Sequence, residues 1–500
     1  MNKRYCWQFW VCLSLFWCMM QSPVWAFDTG HHADLTRDVM LEEGFNHNAI
    51  EVAQVENWLV DYYSSQPVAG LDKELVHFHF DNLFSDQSVQ DYWANLTANT
   101  KAAIEGATRD DDPLKVIALL GISLHSVQDF YTHSNWAELF RPRNNRYATN
   151  TWFSTGQVQN VFTGRYGQPG NQLEHGSYDQ GLNKDSYNRP TFDEAYVFAY
   201  SGSYEWVGQV KAWVEAIDPL VWQRAIALRL STEHRRQLDD DLEAAYRISE
   251  WIDVGNEDGH WKGKGSGSNA DFAAFVARWT AGRDSIYVDH FKEKGWFREL
   301  FPGLDGKSGT VPVAPKVQAR SMNKVAVIVR TLAVNELPVG LFESRIDTGG
   351  DADFYARVTV QNRSYLEAMQ LDDAHVNPDW QTIALINPNT STVPIQYELW
   401  DEDGGVRGDD DVVDINPGVG DVLSFQLNPA TQSLSGDVRG VHNSEAKAFT
   451  RRGNDGDRAK VRLYVTTKGL FRPTNFAAPP VFERRVPNLF RLIDRILPRS

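Results

Sequence analysis

The sequence predicts a multidomain α and β protein, an all-α domain followed by an antiparallel β-sandwich. Two features of the apolar pattern carry that prediction. Before about residue 302 apolar residues recur at helical spacing, and after about residue 320 they recur with a period of two. Between the two regimes, Phe301 to Gln318 holds Pro302, Gly303, Gly306, Gly309, Pro312 and Pro315, a linker composition. A chain of 500 residues with 42% hydrophobic and 12% aromatic residues has the material for more than one buried core, which excludes a wholly disordered protein.

The first element, residues 1–26, reads as a secretory signal peptide. Lys3 and Arg4 precede an apolar run from Tyr5 to Met20, and Val24-Trp25-Ala26 places small residues three before and one before a cut after Ala26. The mature chain is then expected to start at Phe27 and to be secreted or periplasmic. All three cysteines, Cys6, Cys12 and Cys18, fall within this segment. The exported chain would have no disulfide, and any transition-metal site would use His, Asp, Glu or main-chain atoms.

Residues 27–302 form the expected all-α domain. Leu114, Ile117, Ala118, Gly121 and Leu124 share one helical face, as do Leu242, Ala245, Ile248 and Trp251. Two stretches of weak periodicity, Arg141 to Pro190 and Lys262 to Gly267, read as loops. The linker is placed at 303–320 and the sandwich at 321–469, with strand patterns at Val325-Val327-Val329, Phe354 to Val360, Ile395-Tyr397-Leu399 and Val461-Leu463-Val465. Residues 470–500 read as a basic amphipathic tail, with Arg484, Arg485, Arg491 and Arg495 among apolar residues.

The net charge of −17, from 49 basic and 66 acidic residues, argues against duplex nucleic acid as a partner, since such binding gains affinity by neutralising phosphates with Lys and Arg. Nothing in the sequence sets an oligomeric state.

The chemistry-bearing residues are concentrated in the first domain. His125, Asp129 and His133 stand at i, i+4 and i+8, so a helix projects all three from one side. Imidazole and carboxylate together suit zinc-type cations. Four other pieces accompany them: Gly30-His31-His32, Asn57-x₃-Asp61, His77-Phe-His79-Phe-Asp81 and His175-x₃-Asp179.

That ordered set resembles the zinc-dependent phospholipase C and single-strand nuclease superfamily, most closely its heterokaryon-incompatibility-like branch, over Phe27 to about Trp206. The resemblance implies an all-α fold with up to three zinc ions. It implies one zinc on Asp61, His79, His125 and Asp129, and a second on His133, His175 and Asp179. A third would take Asp129, His32 and the free amine and carbonyl of Phe27. His31 competes with His32, which is preferred because it opens His-x₂-Leu-Thr; His77 competes with His79, which is preferred because it opens His-Phe-Asp. Asp61 would also accept the proton of the attacking water, with Asn57, Gln128 and Ser134 orienting ligands. The implied enzyme is a metal-dependent phosphoric diester hydrolase.

Two acidic loops of the second domain, around Asp347 and Asp353 and around Asp401, Asp403 and Asp409, offer the hard oxygen ligands that Ca²⁺ prefers. Their spacing resembles that of C2 domains and implies Ca²⁺ on these five carboxylates at a phospholipid membrane surface. The combined expectation is an exported zinc phospholipase C docked by a Ca²⁺-dependent C2-like domain. The alternatives are a single-strand nuclease, with Trp136, Trp152 and Phe153 stacking bases, and a non-catalytic lipid-binding or interaction protein with a structural metal.

Overall fold

A computed structural model describes residues 29–64, 71–140, 146–148, 151–155, 158–164, 182–184, 189, 191–256, 285–301, 323–337, 346, 352–369, 375–378, 380–402, 410–438, 448–454 and 456–471. A helical region precedes an antiparallel β-sheet region. The longer helices are α1 (Thr29–Glu42), α2 (His47–Ser64), α3 (Asp86–Arg109), α4 (Pro113–His133), α5 (Phe192–Glu215), α6 (Pro219–Ile226) and α7 (Thr232–Asn256), with the short α8 (Trp296–Leu300) after them. None of the described helices is long and apolar enough to cross a membrane.

Helix α4 is the axis of the helical region. Asp112 caps it by accepting from the Lys115 amide at 2.9 Å, and Pro113 occupies the first turn, where a missing N–H costs nothing. Every residue from Val116 to His133 is buried, so the helix is surrounded by neighbours and its polar residues must find partners inside the protein. Gly121 sets its distance from α2: a Cβ there would lie 2.4 Å from the Ala53 carbonyl oxygen. Only glycine permits that approach, which brings the helices bearing Asp61 and His125 together.

The strands, in chain order, are β1 (Arg146–Ala148), β2 (Asn323–Glu336), β3 (Phe354–Val360), β4 (Arg363–Leu366), β5 (His375–Val376), β6 (Gln381–Ile386), β7 (Val393–Asp401), β8 (Asp411–Val413), β9 (Leu423–Asn428), β10 (Ser433–Gly436), β11 (Phe449–Arg452) and β12 (Ala459–Phe471). One sheet is built on β12 and β2, with β5 and β6 on β2 and with β1 and β11 on β12; the other runs β10-β9-β7-β3-β4 with β8 on β7. Their inner faces share a core that includes Val327, Val329, Phe354, Val358, Ile395, Tyr397, Leu463 and Val465. Strand β7 alternates as period two requires, with Val393, Ile395, Tyr397 and Leu399 inward.

The expectation of an all-α first domain needs correction at Arg146–Ala148. These residues pair in parallel with Gly469 to Phe471, so a segment of the helical region is a strand of the sandwich. Strand β6 also departs from alternation, because both of its faces are covered. Ala384 and Ile386 enter the sandwich core, whereas Ile383 and Leu385 join the core of the helices, together with Ile328 and Leu470.

Helix α1 closes the free edge of β6. The amides of Gln381 and Ile383 donate to Asp34 Oδ2 at 2.9 Å and to Asp38 Oδ2 at 2.6 Å, replacing the ladder bonds that an edge strand lacks. Arg37 fills the centre, reaching Asp34 at 2.9 Å, Asp38 at 2.8 Å, Glu367 at 2.6 Å and the Leu366 carbonyl at 2.8 Å. All four charged side chains are buried. Arg330 of β2 with Asp193 of α5, at 2.5 Å, and Arg363 with Glu42 add ion pairs to the same interface.

Candidate metal centre

Four elements deliver the polar cluster at the heart of the helices. Helix α1 supplies His32, the last turn of α2 supplies Asp61, the 3₁₀ turn Val76–His79 supplies His79, and α4 supplies His125 and Asp129. After His79 the chain turns through Phe80 at φ 55°, a conformation that is costly for a bulky residue. Packing of the Phe80 ring on Tyr92, Trp93 and Phe130 holds it there and fixes the direction of His79.

Two sets of donors converge, His32 with His125 and Asp129, and Asp61 with His79 and His125; within each, the ligand atoms lie within 4.8 Å of one another. Asp129 faces both sides. Its Oδ1 is 3.0 Å from His32 Nε2, while its Oδ2 is 3.0 Å from His79 Nδ1 and 3.1 Å from His125 Nε2. Asp61 Oδ1 stands 3.6 Å from His125 Nε2 and 3.8 Å from His79 Nδ1.

The outward ring nitrogens determine what the inward ones can do. His125 Nδ1–H donates to Asn57 Oδ1 at 3.0 Å, and His32 Nδ1–H donates to Gln128 Oε1 at 2.6 Å. The two amides are tied to each other and to α1, with Asn57 Nδ2 donating to Gln128 Oε1 at 3.1 Å and to Thr36 Oγ1 at 3.2 Å. His79 Nε2 meets Ser64 Oγ at 3.2 Å, whose proton goes to the Asp61 carbonyl at 3.0 Å, so the ring is the donor there. With Asn57, Gln128 and Ser64 on one nitrogen of each ring, the other ring nitrogen of His125, His32 and His79 is left toward Asp61 and Asp129. Burial keeps His125 neutral, pulling its pKa to about 3 against the opposing pull of Asp129. Three imidazoles and two carboxylates facing one another in a buried interior form a donor set that could hold a cation, and mixed nitrogen and oxygen donors suit one of the zinc type.

The remaining expected ligands fare differently. His133 is buried but belongs to neither described donor set; its Nδ1–H donates to the His79 carbonyl at 2.7 Å, and Asp81 Oδ1 lies 3.8 Å away. Burial brings its pKa to about 4. Phe27, His175 and Asp179 lie outside the described residues. His31 packs against Phe192 and Tyr196, while its neighbour His32 faces Asp129. Ser134 accepts from the Trp136 amide at 3.2 Å, away from the described ligands. Trp136 stacks in the core with Phe130, and Trp152 and Phe153 pack on Trp93. Sequence reasoning missed Thr36 and Ser64, which complete the outer shell and whose types give no signal by themselves.

In the sandwich, Asp401 ends the inward-facing register of β7 and is buried, and its Oδ1 accepts from the Asp353 amide at 2.7 Å. That contact braces the start of β3 against the end of β7. Asp347, Asp403 and Asp409 lie outside the described residues.

Fold and site together place a buried cluster of candidate metal ligands in a helical region attached to a β-sandwich. Residues 44–161 match the model of the VWA7 N-terminal domain. That stretch carries Asp61, His79, His125, Asp129 and His133, so the match overturns the resemblance to zinc phospholipases C and nucleases, and with it the reading of the chain as an exported phospholipase C. The physical reason is that His and Asp one helical turn apart are what a buried metal asks of any helix, so the pattern reports ligand chemistry ahead of ancestry. No curated protein matches the chain. Among solved structures it is similar to human GIVD cytosolic phospholipase A2, at 13% identity and TM-score 0.20, covering 30% of this chain and 17% of that one. It is also similar to a C2 domain of plant extended synaptotagmin 1, at 14% identity and TM-score 0.21, covering 31% and 99%. A C2 domain protein from Ramazzottius varieornatus gives 10% identity and TM-score 0.21, covering 31% and 96%. The chain thus spans less than a fifth of the phospholipase A2.

Proposed function

We propose that the helical region is a zinc-type metal centre that hydrolyses a phosphoric diester, and that the C2-like sandwich binds lipid. The observation that supports it best is the set of ring nitrogens of His32, His79 and His125 left toward Asp61 and Asp129. Asp61, His79, His125 and Asp129 Oδ2 would hold one ion, and His32 with Asp129 Oδ1 would begin the ligand set of another. Bound there, such ions supply a water acidic enough to yield hydroxide near neutral pH and positive charge for phosphoryl oxygens. Asn57, Gln128 and Ser64 hold the outer ring nitrogens, which orients the rings for ligation. Asp61 would take a proton from that water.

The test is metal content together with hydrolysis of bis(p-nitrophenyl) phosphate by the mature chain. Bound zinc and turnover, both lost in His125→Ala, are the expected result. A second reading, a structural metal, is favoured by the burial of the centre, where His79 is the most open ligand at 9% exposed. Stoichiometric zinc without turnover, and a fall in melting temperature when zinc is removed, would select that reading.

A further inference from the structure

Asp353 and Asp401 meet where β3 starts and β7 ends. At the other end of β3, seven residues and about 20 Å along the strand, a cavity of about 310 Å³ is lined from both sheets. One wall is the β3–β4 hairpin from Val360 to Arg363, with Tyr365; the other is Lys324 at the start of β2 and Ala384 to Asn387 at the end of β6. Val360, Tyr365, Ala384 and Ile386 are buried, Lys324 is half-buried, and Gln361, Asn362, Arg363 and Asn387 are exposed, so the cavity has an apolar floor and a polar rim. The hairpin is held in place. Val360 pairs with Arg363, which makes Gln361 and Asn362 a two-residue turn. Gln361 takes φ 57°, uncommon and costly for a residue other than glycine, and its amide donates to the Pro394 carbonyl at 2.9 Å, tying the turn to β7.

The rim is positive in a chain that is negative overall. Acidic residues outnumber basic ones by 66 to 49, yet among the described residues none that lines this cavity is acidic and two are basic. Arg363 also reaches Glu42 at the end of α1, which takes up one side of its guanidinium. Lys324 pairs with no carboxylate among the described residues. Asn387 Oδ1 accepts from the Asn389 amide at 2.9 Å, so its Nδ2 group is the part of that side chain left to donate. An ammonium, a guanidinium and amide donors above an apolar floor suit an oxyanion carried on a small carbon body, and the volume is at the small end of the ~300–1,000 Å³ typical of ligand pockets.

We infer that this cavity binds a small phosphate monoester through Lys324 and Arg363. The site is separate from the histidine centre and from the acidic loops at the opposite end of the sandwich. A soluble ester and the head of an anionic lipid present the same group, and two measurements on the whole protein separate them. Calorimetric titration with glycerol 3-phosphate is expected to show one site per chain, weakened about tenfold in Lys324→Gln and kept in Lys324→Arg. Lys460→Gln removes the same charge at the far end of the β2–β12 pair and should leave the affinity unchanged. The second measurement is cosedimentation with vesicles of phosphatidylcholine and phosphatidic acid. A loss in Lys324→Gln that Lys460→Gln does not share makes a lipid head the source of the phosphate. Vesicle binding that is absent, or equal in wild type and Lys324→Gln, makes the source a soluble ester where the titration still discriminates; its absence alone would remove lipid binding from the sandwich and leave the cavity standing. Equal affinity for glycerol 3-phosphate in wild type and Lys324→Gln, or an equal loss in Lys460→Gln, overturns the proposal. So does a wild type that binds no glycerol 3-phosphate and whose vesicle binding Lys324→Gln does not reduce.

Discussion

Helix α1 carries two buried polar clusters that balance their charge in opposite ways. On one side His32 faces Asp129. On the other, Asp34 and Asp38 enclose Arg37 together with Glu367 of the sandwich. The interface cage contains its own cation, and the main-chain amides of β6 satisfy carboxylate oxygens that Arg37 leaves open. Three acids against one guanidinium are still in excess, and the remainder is met by protons: burial pushes Asp34 well up and Asp38 to about 7. In the histidine centre the rings of His32, His79 and His125 face the carboxylates of Asp61 and Asp129. The Arg37 cage is an interface; the histidine centre is a candidate binding site.

Removing the internal cation should break the comparison most sharply. Arg37→Ala leaves three buried carboxylates without their cation and is expected to cost about 3–5 kcal/mol. Urea unfolding checks it, and a loss below about 1 kcal/mol would mean that the cage is protonated throughout. Gly121→Ala acts on the other cluster through packing. Its Cβ would meet the main chain of Ala53, so α2 and α4 must part, at about 1–3 kcal/mol and with weakened zinc binding. Asn57→Ala frees the His125 tautomer and should lower zinc affinity about 10- to 100-fold with the fold intact, measured by competition with a chelating dye.

A further effect is expected on pH dependence. Asp38 has a folded pKa of about 7, above its ordinary value near 3.8, so the folded state binds more protons than the unfolded one between those limits. The contribution of Asp38 is therefore favourable at low pH and is lost as pH rises through about 4 to 7. Substituting Asp38→Asn should flatten that part of the stability profile, and an unchanged profile would remove Asp38 as its source.

The sequence displayed the period change that divides helices from strands, because each half follows one rule over many residues. It also displayed His125 and Asp129, one turn apart on α4. His133, a further turn along, lies outside both described donor sets. Successive steps of four residues drift about 40° on a straight helix, and by the second step the ring has turned from the Asp129 cluster to the His79 carbonyl. The Arg37 cage was illegible for a different reason. Asp34, Arg37 and Asp38 read as an ordinary solvated i, i+3, i+4 face, and only the arrival of β6, far along the chain, makes that face interior. Strand β6 hid its role through the same contact, since a strand covered on both faces loses its alternation.

Strand β1 has a consequence for how this chain can be divided. Because Arg146–Ala148 is hydrogen-bonded into the sheet built on β12, the boundary along the sequence is not the boundary in space. A protease cut within 303–320 should give two fragments that elute together, and a sandwich expressed alone from residue 321 would expose the edge of β12 and the outer faces of Ile328, Ile383 and Leu385. The sandwich is thus not a cassette to be shuffled between proteins, and recombination that moves it intact must move part of the helical region as well.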